Sequence, residues 1–167
     1  TYRPHKPHLK KLRPNLAAPA QITDMVVRHG VGYLQTWLVR RELFDQVGLF
    51  DEAMRTSSDW EMLIRLSAAG RAVFAPASLA MSERYSDSLS HLSPKHSDMM
   101  AHVGQKLGAD ARLTLDQQFE LRYQLAKSHV LRGRRGAAFS VFLGALAQRP
   151  WHPVIGRMLW ALIARGW

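Results

Sequence analysis

Asp59 and Trp60 open the helical pattern within TSSDWEMLIRLSAAG, residues 56–70, and set a carboxylate and an indole side by side at its start. Seven of the thirteen acidic residues lie between Asp24 and Glu61, so chemistry that needs carboxylates belongs in this middle stretch. For Asp59 itself, spacing decides little. A carboxylate in a first helical turn is favoured by the unpaired amides and the helix dipole, with no function required. Arg40 and Arg41 are adjacent guanidiniums, which can pair with phosphate oxygens in a bidentate manner and face a diphosphate. A solvated helix start, paired with Glu42 or Asp45, explains them equally well. His91, His96, Asp98 and His102 are close in sequence, and Asp98 with His102 would share a helix face. No metal-ligand spacing accompanies them, and scattered surface histidines are the simpler reading. His5 and His8 fall in a basic arm and read the same way.

The elements that must position these residues follow from pattern. Ser58 with Glu61 three residues on fits a capping box. Trp60, Leu63 and Ile64 share one face, widened by Met62, Leu66 and Ala69, and Gly70 supplies a stop in the left-handed conformation. Upstream, VGYLQTWLV (residues 31–39) mixes aromatic and β-branched residues and predicts a strand. RRELFDQVG predicts a two-turn helix ended by Gly48. Ile22 to Val27 is a short apolar run compatible with a strand or a turn of helix. RAVFAP (residues 71–76) predicts a second strand, and SERYSDSLSH a surface loop. After Ser97 the pattern is helical throughout: SDMMAHVGQKLG, TLDQQFELRYQLAKSHVLRG, RRGAAFSVFLGALAQRP and HPVIGRMLWALIARGW predict antiparallel helices joined by short turns. They resemble a degenerate tetratricopeptide-type tail with too few repeats to stand alone, so this tail should lean on the preceding domain.

Residues 40–52 (RRELFDQVGLFDE), the Asp59-Trp60 pair followed by LIRLSAAG, and the SERYSDSLS loop occur in one order over about 60 residues. In that order and spacing the chain resembles the C-terminal half of the catalytic domain of family 2 glycosyltransferases, inverting enzymes of the GT-A fold that use nucleotide-activated sugars. The resemblance implies that Asp59 is the general base and that Trp60 shapes the acceptor side of the pocket. The chemistry suits the residue: an acceptor hydroxyl loses its proton as it attacks the anomeric carbon, and a carboxylate within hydrogen-bond reach can take it. A helix N-terminus keeps Asp59 ionised, which makes positioning more valuable than basicity. Asp51 and Glu52 match a recurring FDE element and read as structural turn carboxylates. Such an enzyme also needs a divalent cation, Mg or Mn, held by an Asp-x-Asp motif in a nucleotide-binding half; no Asp-x-Asp occurs here. Family members often carry a metal-holding histidine in the loop matching SERYSDSLS. This chain has Ser86 near that place, with His91 five residues on as a weak substitute.

The bounds set by composition agree with a folded, basic protein. The formal net charge is +10, so the surface attracts anions. Residues 1–15 carry five Lys/Arg without an acid, and eight more follow Glu120, again without an acid. The absence of cysteine excludes disulfides, thiolate zinc sites and a cysteine nucleophile. No secretory signal pattern opens the chain, and no apolar run approaches the roughly 18 to 20 residues of a membrane span. A first residue Thr1 instead of Met points to a piece of a longer chain. The expected architecture is α/β, a partial GT-A-like layer with few strands, followed by an all-α C-terminal region. Its divisions are a basic extended arm or linker (1–20), the transferase part (21–96) and a helical appendage (97–167). The expected function is transfer of a sugar from a nucleotide-sugar donor to a saccharide or lipid-linked acceptor in cell-surface polysaccharide synthesis, in the cytoplasm or peripherally at the inner membrane face. As an isolated chain without the donor half, it would be incomplete and inactive. The competing expectation is a non-catalytic basic helical module for an acidic membrane surface, nucleic acid or a partner protein. The tryptophans of the tail suit the first of these, and no nucleic-acid recognition motif supports the second.

Overall fold

The computed structural model describes residues 19–29, 34–54, 57–73 and 96–164. Seven α-helices form it: α1 (Pro19–His29), α2 (Arg41–Val47), α3 (Ser58–Ala69), α4 (His96–Leu107), α5 (Leu115–Leu131), α6 (Arg135–Gln148) and α7 (Pro153–Ala164), with a 3-10 turn at Leu34–Thr36. The apolar run at Ile22 resolves as helix, entered through Pro19, whose missing N–H costs nothing in a first turn.

The expected α/β layer is overturned: among the described residues there is no strand and no sheet. The reason is visible at residues 37–39. Trp37 and Val39 pack against the α2–α3 cluster while Leu38 between them is fully exposed, so the chain is extended and alternates as a strand does. It lies on helices, though, and no described strand pairs with it; alternation reports a half-buried extended backbone, and a ladder is a separate requirement. Residues 71–73 behave alike, with Ala72 packed inward and Val73 exposed; residues 74–76 of that expected strand and the SERYSDSLSH loop lie outside the described residues.

Three apolar clusters organise the helices. The first joins Ile22, Val26 and Val27 of α1, Trp60 and Ile64 of α3, Val103 and Leu107 of α4, Leu113, and Leu121 of α5. The second joins Phe119 and Ala126 of α5 to Phe142 and Ala145 of α6 and Val154, Ile155 and Met158 of α7. The third sets Val47 of α2 on Met62 and Leu66 of α3. The first cluster draws side chains from both sides of residue 96, so the tail and the middle segment share one core. Where α4 crosses α5, Gly104 leaves room for backbone: a Cβ there would stand 2.7 Å from the Leu121 carbonyl oxygen.

Local signals differ from expectation at α3. Its N-cap is Ser57, not Ser58, and neither serine makes a side-chain cap bond; Glu61 is drawn inward by other partners. The capping box forms instead at α5, where the Gln117 amide donates to Thr114 Oγ1 and the Thr114 amide donates to Gln117 Oε1. Gly70 is extended (φ −127°), not left-handed. A Cβ there would stand 2.9 Å from a terminal methyl of Leu43, so Gly70 gives the Leu43 side chain of α2 room against α3.

Candidate functional site

Asp59 sits in the first turn of α3, half-buried, with Oδ1 accepting a hydrogen bond of 2.8 Å from the Trp60 amide. The turn that delivers it is strained. Ser57 adopts φ 60°, ψ 18°, a left-handed conformation that an L side chain resists, and its hydroxyl is buried without a partner among the described residues. Trp60 is a core residue. Its ring belongs to the first cluster, and its indole N–H donates at 2.7 Å to the carbonyl of Val26 in α1. Thr23 adds a second tie, its hydroxyl donating at 2.9 Å to the Ser67 carbonyl. The indole is thus placed to fix the Asp59 turn against α1.

Behind Asp59 lies a buried ionic network. Glu61 is fully enclosed, and both its oxygens accept from Arg65, one helical turn on, at 2.7 and 2.8 Å. The same guanidinium reaches across to α2, donating to the carbonyls of Val47, Gly48 (3.3 Å) and Leu49 (2.9 Å). Lys106 of α4 completes the set, 2.6 Å from Asp51 Oδ2 and 3.1 Å from Glu61 Oε1. Burial opposes the charge on Lys106, but hydrogen bonds to Asp51 and Glu61 outweigh it and raise its pKa. The Lys106 hydrogen bond, with the Ala53 amide, holds the Asp51 carboxyl below its ordinary value. Arg65 therefore ties residues 47–49, in the RRELFDQVGLFDE segment, to the helix that carries Asp59.

The remaining sequence candidates are dispersed. Arg40 and Arg41 are exposed at the start of α2, with no contact to Asp59 among the described residues. His91 lies outside the described residues, as do the side chains of His96 and Asp98, and His102 is exposed. Among the described residues no three His, Asp or Glu side chains converge as metal ligands. Asp51, Glu61 and Glu120 are each engaged by Lys or Arg, so these three are not free to hold the expected Mg or Mn ion.

A second feature was not anticipated. A cavity of about 460 Å³ opens beside the turn between α6 and α7, lined by Arg28, Arg149, Trp151, His152 and Arg157 among others. Under it, buried Glu120 accepts from Arg157 at 2.7 and 3.1 Å and from Arg28 at 3.5 Å, and the Arg157 guanidinium lies 4.1 Å from the Tyr123 ring centroid. His152 stacks on Phe119 at 4.2 Å; its Nδ1 accepts from the Val154 amide, which directs the Nε2 proton to Asp116 at 2.9 Å. The available signal was Glu120 itself, the last acid before a run of cations. Compared with protein-family models, with curated proteins and with solved structures, the chain matches none.

Proposed function

We propose that this chain is the acceptor-side portion of an inverting, family 2-like glycosyltransferase, with Asp59 as the base. One observation carries the reading. The two segments that resemble that family, residues 40–52 and 59–70, are joined by the Arg65 guanidinium, and they leave Asp59 half-exposed at the end of the unit. In the reaction, the acceptor oxygen bonds to the anomeric carbon as the bond to the nucleoside diphosphate breaks, and the hydroxyl proton passes to Asp59. A strained turn, an anchored indole and a buried ion pair supply positioning, the property a weak carboxylate base most needs. Trp60 then serves as a positioning residue, acting through the backbone that holds Asp59. Leu34, Leu38, Leu49 and Val73, exposed in the segments around α2 and α3, offer apolar surface on which a donor half would seat.

The test is saturation-transfer NMR of the chain against a panel of oligosaccharides representing surface polysaccharides. Saccharide binding that Asp59→Asn weakens, with helical content unchanged, is expected. No binding by any saccharide, or binding indifferent to Asp59, would overturn the assignment.

A further inference from the structure

The outer faces of α6 and α7 are not those of ordinary surface helices. No charged residue occurs between Arg135 and Arg149. α6 turns Ala138, Phe142 and Ala145 into the core, and its flank shows Phe139, stacked on Phe142, and Leu143, each about half exposed. α7 buries Val154, Ile155 and Met158 and leaves Leu159, Trp160 and Ile163 outside, at a spacing that forms one stripe. Trp160 is 71% exposed and Trp151, in the turn between the helices, 94%. A surface helix of a globular protein normally presents polar residues there.

We infer that this face docks the protein on a membrane surface carrying anionic headgroups, with α6 and α7 lying in the interface. Charge selects the occupant. Residues 121–167 carry eight Lys/Arg and no Asp or Glu. Arg134 and Arg135 are exposed at the start of α6 and Arg149 just beyond its end, so cations stand at both ends of the apolar strip. The preceding acid, Glu120, is buried beneath Arg157. A second copy of this chain would bring the same cations against themselves, whereas acidic headgroups neutralise them. No described helix is long and apolar enough to cross a membrane, and two short helices with an outward apolar stripe and indoles suit the interfacial depth. This inference does not rest on Asp59.

Co-sedimentation of the full chain with vesicles tests it, using phosphatidylcholine alone and phosphatidylcholine mixed with phosphatidylglycerol. Binding to the mixed vesicles is expected, reduced on phosphatidylcholine alone and released as salt rises from about 0.1 to about 1 M, where charges are screened over a few ångströms. Trp160→Glu and Phe139→Glu should each weaken partitioning about tenfold or more, with unchanged thermal melting; Arg149→Gln should weaken it at low salt only. Asp59→Asn should bind as the parent does. Failure to bind mixed vesicles at low salt would overturn the inference. So would binding insensitive to all three surface substitutions, or a stable dimer that Trp160→Glu dissociates without any vesicle binding.

Discussion

Replacing Arg65 with Met should be the most damaging single substitution in the α2–α3 unit. The change strips Glu61, which has no solvent contact, of two short hydrogen bonds and leaves it with Lys106 at 3.1 Å. It also removes the donor from the carbonyls of Val47, Gly48 and Leu49. Breaking a buried pair from one side costs about 3–5 kcal/mol, because the remaining charge loses its main partner; Lys106, itself shared with Asp51, replaces only part of it. For a chain of this length, where each kcal/mol shifts melting by about 2–4 °C, the expected fall in Tm is about 6–20 °C. Removing both charges in Glu61→Leu/Arg65→Met should cost less than Arg65→Met alone, since no unpaired charge remains. Urea unfolding followed by circular dichroism measures all three proteins. A loss of under about 1 kcal/mol for Arg65→Met, or a double variant no better than the single, would refute the reasoning by showing that solvent already reaches the pair.

Thr114→Ala should cost about 1 kcal/mol, the usual worth of a working N-cap, whereas Ser58→Ala should be close to neutral because no cap bond is made there; parallel denaturant titrations separate the two. His129 is expected to make stability pH-dependent. Burial first, then the nearby Arg132 and Arg134, lower its pKa in the folded chain, so the folded state disfavours the protonated ring. Its contribution is full above the ordinary histidine value of about 6.5 and is lost as pH falls from there through the lowered pKa. Tm measured across that window should fall less steeply for His129→Gln than for the parent.

The C-terminal helices are legible in the sequence because each carries its own boundary: Thr114 with Gln117 before α5, Gly133 behind it, Pro150 after α6 and Pro153 opening α7. What could not be read was set by tertiary partners. Glu61 fits a capping box on spacing, but a local amide competes poorly with Arg65 and Lys106 in a buried site. Gly70 sits at a helix end and invites a left-handed assignment, while it is extended and its open side is filled by Leu43 from another helix. Residues 37–39 carry a true alternation with the wrong implication, because a pattern along one segment holds no information about its neighbour. Asp59 was singled out by motif order; Glu61 and Arg65 behind it are four residues apart and could be paired by spacing, whereas residues 47–49 and Lys106, which complete the lock, lie too far away in sequence for that. The cavity beside Trp151 was hidden for the same reason, with Arg28 lying far upstream of Arg149 and Arg157.

α5 faces two ways. Phe119 and Ala126 point to the second cluster and Leu121, about 200° around the helix from Phe119, to the first. The helix therefore acts as a camshaft, with the angular phase of one face setting that of the other. Deleting a single residue between Leu121 and Ala126 would turn everything downstream by about 100° and withdraw Ala126 from α6 and α7 while Leu121 stayed seated. Length changes that the exposed turn at Gly133 could absorb are thus closed to this helix, and indels in natural variants of the chain should respect that difference.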